Sequence, residues 1–270
     1  MKHILLLTDF SKSATNAMDY ALAFFKAEKC HFHVMYVHKS NSFTMDDLMS
    51  SSKKNVYDAI LKDEKQQLEA YKTQLQNTYN QHQFSTIIDY DNLLSAIKQT
   101  IDSKSIDLII AGYDGATSLF EVVFGSNTLQ IIRNISCPTL IIPEDFSFNN
   151  FKDVLLPLDE YDALDTNEFD RILKFLDINK THFHVLRIGH DDALMETDKL
   201  QLNTKVKSYD YHIIKNVALA DAVSTYQQLN NIDIIGLMVE KESFLKRLIA
   251  ESSTTKISKS LSLPLLIVHH

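Results

Sequence analysis

Short, continuously apolar runs alternate along the chain with stretches whose apolar residues recur every three or four positions. Ile4 to Thr8 is one such run. Ala14, Ala17, Met18, Ala21, Leu22 and Phe25 then fall on one face of a helix that Ser11 is placed to cap. His33 to Val37, Phe84 to Ile88, Ile106 to Ala111 and Thr139 to Ile142 read as further strands. Leu94, Ile97 and Ile101 mark one more helix face, and Leu129, Ile132 and Ile135 another. Strands that are apolar on both sides, separated by amphipathic helices, predict a parallel sheet covered on both faces.

This pattern occurs twice. Ile4-Leu5-Leu6-Leu7-Thr8-Asp9 returns as Val154-Leu155-Leu156-Pro157-Leu158-Asp159, and His31-Phe32-His33-Val34 as His182-Phe183-His184-Val185. Ile106-Asp107-Leu108-Ile109 returns as Ile232-Asp233-Ile234-Ile235, and Pro138-Thr139-Leu140-Ile141-Ile142 as Pro264-Leu265-Leu266-Ile267-Val268. The offsets are 150, 151, 126 and 126 residues, in unbroken order, which is the signature of a duplication. The fall of about 25 residues places an extra segment in the first copy, from about Asp46 to Tyr79. It predicts one long polar helix, with Met45, Leu48, Val56, Ile60, Leu68, Tyr71 and Leu75 on its apolar side. Glu144 to Phe151 is polar and aromatic without periodicity and reads as the linker. The expected domains are therefore residues 1–145 and 150–270.

Composition narrows the function classes. A net charge of -8 and a pI of about 5.7 argue against nucleic-acid binding, which calls for a basic patch. No apolar stretch approaches the length of a membrane span. Cys30 and Cys137 have neither metal-type spacing nor a disulfide framework, so a reducing, cytoplasmic setting and inert thiols are expected.

Only five glycines occur in 270 residues, and three of them lie within fourteen: Gly112, Gly115 and Gly125. They follow the fourth strand, and ligands of open α/β sheets bind beyond the carboxyl ends of strands. Glycine there permits positive φ and close backbone approach. Ser126, Asn127 and Thr128 would open the last helix, whose free N–H groups and dipole suit an anion. The spacing Gly-two-Gly-nine-Gly-Ser-Asn resembles the ATP-binding signature of the universal stress protein family. Thr8-Asp9-Phe10-Ser11 and Cys137-Pro138-Thr139-Leu140-Ile141-Ile142-Pro143 resemble that family's first and last strands.

The resemblance implies two Rossmann-like α/β domains, each a five-stranded parallel sheet in the order 3-2-1-4-5 flanked by helices. It implies that their fifth strands pair about an internal pseudo-twofold, with room for further homodimerisation. It also implies an ATP site in the first copy. Asp9 would contact the adenosine, Val37 would offer backbone hydrogen bonds to adenine, and Gly112 and Gly115 would wrap the ribose and phosphates. Gly125, Ser126, Asn127 and Thr128 would bind the phosphates. Asp114 departs from the basic or neutral polar residue of many relatives, and its charge beside the phosphates implies either weaker affinity or the need for a divalent cation such as Mg²⁺.

In the second copy Gly112, Gly115 and Gly125 align with Met238, Lys241 and Glu251. Asp159, Ser252 and Thr254 keep the other positions, but bulk and a carboxylate replace the glycines, so this motif is degenerate. Gly236 aligns with Ile110 and does not restore it.

His31 and His33, like His182 and His184, share one face of a strand. Packing or hydrogen bonding inherited through the duplication accounts for them, and no metal site is expected. The resulting expectation is an adenine-nucleotide-binding stress-response sensor or regulatory module with an unidentified protein partner and at most slow ATP hydrolysis. The alternatives are a nucleotide-independent interaction scaffold and a weak Mg-dependent ATPase.

Overall fold

The computed structural model describes residues 1–38, 62–90, 92–113, 126–148, 151–159, 162–189, 192–239 and 263–269. The first half contributes strands β1 (Lys2–Leu7), β2 (Cys30–Val37), β3 (Gln83–Asp89), β4 (Leu108–Tyr113) and β5 (Thr139–Pro143). Its helices are α1 (Lys12–Phe24), α2 (Lys62–Thr78), α3 (Leu93–Lys104) and α4 (Ser126–Asn134). The second half contributes β6 (Asp153–Leu158), β7 (His182–Ile188), β8 (Tyr209–Ile214), β9 (Ile234–Val239) and β10 (Leu265–His269). Its helices are α5 (Asn167–Leu173), α6 (Asp192–Lys205) and α7 (Leu219–Leu229).

All ten strands form one sheet in the order β3-β2-β1-β4-β5-β10-β9-β6-β7-β8. Within each half the pairs are parallel and the order is the expected 3-2-1-4-5. The halves meet where β5 and β10 pair antiparallel, so each covers the other's open edge. Arg171 of α5 adds a clamp across this junction, donating to the carbonyls of Ser136 at 2.8 Å and His269 at 2.7 Å.

Strand alternation divides the core. Ile4, Leu6, Phe32 and Val34 face α1 and α2, in a cluster that continues through Leu156, Phe169 and Phe183 of the second half. Leu5, Met35 and Ile109 face the other way, toward Ile97 of α3 and Ile131 of α4. The expected stripe on α1 is buried throughout, and the Ser11 hydroxyl accepts from the Ala14 N–H at 3.2 Å as its cap.

The repeated Ile-Asp pair has one structural job in both halves. Asp107 donates its N–H to the His3 carbonyl and accepts the His3 N–H on its carboxylate, both at 2.8 Å. Asp233 does the same to Asp153, at 2.9 and 3.0 Å. Each carboxylate thus fixes the start of the central strand of its half.

One expectation changes. The stretch read as a linker is docked, because Phe148 meets Tyr20 edge-on at 5.3 Å and Phe151 meets Phe24 at 4.9 Å. Asn16 of α1 also donates to the carbonyls of Pro143 and Phe146, at 2.9 and 3.0 Å. The long helix expected over 46–79 is seen as α2; residues 39–61 lie outside the described residues. Among the described residues no helix is long and apolar enough to cross a membrane.

Candidate functional site

A cavity of about 260 Å³ opens at the carboxyl ends of β1, β2 and β4. Asp9, Val37, Gly112, Ser126, Asn127 and Thr128 all line it, together with Ser11 and Ser13 of the first turn of α1. Six of the eight expected site residues are therefore brought together; Gly115 and Gly125 lie outside the described residues, as does Asp114.

The loop after β1 is held by its own side chains. The Phe10 N–H donates to the Thr8 hydroxyl at 3.0 Å, and the Ser11 N–H to the Asp9 carboxylate at 3.0 Å. Phe10 adopts φ 62°, uncommon for a bulky residue, and its ring packs on Tyr36 at 5.2 Å. Strain of this kind persists only where the surroundings fix it. Here it leaves Asp9 exposed at the cavity mouth.

Gly112 has a different role from the one its sequence position suggests. It is the fifth residue of β4, not part of the loop after it, and its φ is not in the positive range. A Cβ on Gly112 would lie 2.2 Å from the Ser13 carbonyl oxygen and 2.9 Å from the Ala14 nitrogen. Glycine is required because the backbone of α1 packs directly on β4. That close approach draws Ser11, Ser13 and the β4 terminus around one cavity.

Helix α4 is described from Ser126 onward, with Ser126 and Asn127 exposed and Thr128 buried. Where a helix starts, its first N–H groups have no partner within it and carry partial positive charge. Among the described residues the cavity is lined by one carboxylate, Asp9, and by no Lys or Arg. An anion here would be held by N–H groups and hydroxyls.

The second half carries a buried ion pair on the other face of its sheet, at the position of Tyr36 in the first half. Arg187, near the end of β7, is 2% exposed and its guanidinium fills the space beside the end of β6. It donates to the carbonyls of Asp159 and Asp162 and to the carboxylate of Asp198 on α6, with Nε to Asp198 at 2.9 Å. Tyr211 donates to the same carboxylate at 2.6 Å. Met238, expected to obstruct a loop, instead lies inside β9 and packs into the core. Lys241, Glu251, Ser252 and Thr254 lie outside the described residues. Sequence reasoning missed Arg187, although an arginine in the apolar run His-Phe-His-Val-Leu-Arg-Ile was its visible signal.

Comparison with known proteins identifies the family and the fold. The family model described as "Universal stress protein family" matches residues 1–143, more than half of the chain. The chain belongs to the universal stress protein family. Its fold is that of a solved universal stress protein from Archaeoglobus fulgidus DSM 4304, with TM-score 0.73 at 15% identity, covering 99% of this chain and 98% of that one. A putative universal stress protein from Pseudomonas aeruginosa UCBPP-PA14 is similar, with TM-score 0.59 at 12% identity over 100% of this chain and 93% of that one. Both cover the tandem arrangement in full, so this universal stress protein shares the two-half architecture as well as the fold. No curated protein sequence matches the chain.

The geometry also settles what the cysteines resemble chemically. Cys30 and Cys137 are both free and buried. Burial pushes the Cys30 thiol up to about 11 and the Cys137 thiol up to about 12, the opposite of an activated nucleophile.

Proposed function

We propose that this universal stress protein binds an adenine nucleotide, ATP with or without Mg²⁺, in the cavity of its first half and acts as a regulatory module rather than an efficient enzyme. The observation that supports it is the convergence of Asp9, Val37, Gly112, Ser126, Asn127 and Thr128 on one cavity at the carboxyl edge of the sheet. In this reading Asp9 meets the adenosine and the Val37 backbone meets the base. The Ser126–Thr128 turn, continued by Gly125, takes the phosphates through N–H groups and hydroxyls. The absence of Lys and Arg among the described lining residues leaves phosphate charge for a cation to balance, which is the role Mg²⁺ would fill. Residues 1–145 then form the nucleotide-binding domain. Residues 150–270 form a partner domain whose copy of the glycine motif is degenerate.

The test is a thermal-shift titration of the full chain with ATP and MgCl₂. Ligand at 100 times its dissociation constant stabilises a folded protein by about 2.7 kcal/mol. Wild type and Glu251→Gly should shift to higher melting temperature, and Gly125→Glu should not. No shift in wild type at millimolar ATP would defeat the proposal.

A further inference from the structure

At the opposite edge of the sheet, three histidines come together that the sequence separates. His3 of β1 lies opposite His31 of β2 in the parallel register, and Leu5 lies opposite His33. Side-chain alternation therefore puts all three rings on the face that α3 and α4 cover. The cluster lies toward the amino ends of the strands: His33 is two residues, about 7 Å, before Met35 in the cavity wall, and His3 is six residues, about 20 Å, before Asp9 at its mouth.

We infer that His3, His31 and His33 form a binding site for a divalent first-row transition metal, with zinc as its natural size and geometry. One potential ligand atom from each ring lies within 4.8 Å of the others. His3 Nδ1 and His33 Nε2 are 3.1 Å apart. Two imidazole nitrogens bound to one tetrahedral zinc at about 2.0–2.1 Å would be about 3.3 Å apart, so this pair is already at ligand separation. Two bare nitrogens repel at that distance, and something positive must lie between them. Without an ion it is the hydrogen of one ring. With an ion, His3 carries its hydrogen on Nε2 and the metal takes the shared place.

Ser85 on β3 sets the other two rings. Its hydroxyl oxygen lies 2.7 Å from His33 Nδ1 and 3.1 Å from His31 Nε2. A hydroxyl oxygen has two lone pairs. When both rings donate to it, His33 Nε2 and His31 Nδ1 are left as bare nitrogens, the form a metal needs. Second-shell bonds of this kind orient metal-ligating histidines. Burial lowers His33 to about 4, with His31 and His3 lowering it further, and burial lowers His31 too.

The duplicated half shows the same positions put to another use. His182 and His184 correspond to His31 and His33, while Asp153 stands in for His3 and Asp210 for Ser85. There His184 Nε2 bonds the Asp153 carboxylate at 3.0 Å and its Nδ1 the Tyr226 hydroxyl at 3.0 Å. His182 is held by Asp210 at 3.1 Å and by Ser208 at 2.6 Å. His182, His184 and Asp210 also bring ligand atoms within 4.8 Å of one another, so His184→Gln is the variant that separates the two clusters.

The experiment is calorimetric titration of ZnCl₂ into chelator-treated full-length protein, repeated with CoCl₂ to read ligand geometry from its visible absorption. Wild type and His184→Gln should retain one tight equivalent with a tetrahedral cobalt spectrum. His3→Gln and His33→Gln should lose it, with affinity lower by about 100-fold or more. Ser85→Ala should weaken it by about 10-fold to 100-fold. His3 and His31 are half-buried, so His3→Gln and His31→Gln test the site even where His33→Gln fails to fold. No tight zinc equivalent in wild type would overturn the inference. So would an equivalent that survives His3→Gln and His31→Gln unchanged. ATP binding is not expected to change in any of these variants.

Discussion

Leu140 lies directly opposite Leu266 in the antiparallel pair of β5 and β10, and the two are each other's counterparts at the 126-residue offset of the repeat. On either side Thr139 faces Ile267 and Ile141 faces Leu265, so each pairing is the mirror of the other. Only a twofold axis running between Leu140 and Leu266 produces that register. The two leucines are 1% and 2% exposed and belong to one core cluster spanning both halves. The duplication thus supplied each half with a complementary edge, and the chain carries its own dimer interface in cis. Heterologous edge pairing, with its risk of open-ended assembly, is removed at the centre of the sheet.

The two described core glycines should respond differently to one added methyl group. In Gly112→Ala the Cβ meets the Ser13 carbonyl oxygen at 2.2 Å, and backbone must move. In Gly236→Ala it meets the Leu156 Cδ2 at 2.7 Å, the far end of a side chain that can turn. Overpacking costs about 1–3 kcal/mol where the surroundings cannot yield. Urea denaturation followed by circular dichroism should place Gly112→Ala at or above the middle of that range and Gly236→Ala below it. Gly112→Ala should also shift α1 and weaken any nucleotide-induced stabilisation. Equal losses in the two variants would show that the α1–β4 approach is looser than its geometry indicates.

Much of this was legible in the sequence because it rests on periodicity. The strand order, the edge pairing and the cap at Ser11 follow from apolar runs, from the repeat and from the family resemblance. What escaped notice depends on neighbours far apart in the chain. His3 gave no local sign of joining His31 and His33, because the β1–β2 register creates that proximity. Gly112 looked like a loop residue, yet its need for glycine comes from the backbone of Ser13 on another element. Phe148 and Phe151 looked like linker because aperiodic aromatics give no direction until α1 presents Tyr20 and Phe24.

Arg187 should be intolerant of losing its partner. Its guanidinium and the Asp198 carboxylate are 2% and 1% exposed, and Tyr211 shares the same carboxylate. Removing one member of a buried pair leaves an uncompensated charge, at a cost of about 3–5 kcal/mol. Asp198→Asn should fall in or near that range in chemical denaturation. The double variant Arg187→Met with Asp198→Leu should be markedly less destabilised, because burying two apolar side chains avoids the desolvation of both ions. If Asp198→Asn costs less than about 1 kcal/mol, water must reach the guanidinium, and the second half is more open than its packing indicates.

The thiols give a pH dependence with a definite sign. Burial holds the protonated form of Cys30 up to about 11 and of Cys137 up to about 12, whereas an unfolded thiol ionises near about 8.5. Above that pH the unfolded chain releases protons that the native chain retains. Stability therefore falls as pH rises from about 8.5 toward 11 and is unaffected by these groups below it. The same burial suppresses reactivity, because the thiolate is the nucleophile. At pH 8 both cysteines should react with a disulfide reagent only through unfolding, at a rate that rises with urea and ends at two thiols per chain. Fast labelling of either thiol in native buffer would mean that the β2 or β5 end of the first half opens readily. Replacing both by serine should then remove the alkaline loss that the thiols contribute, while any stability lost through the unsatisfied hydroxyls would appear equally at pH 7.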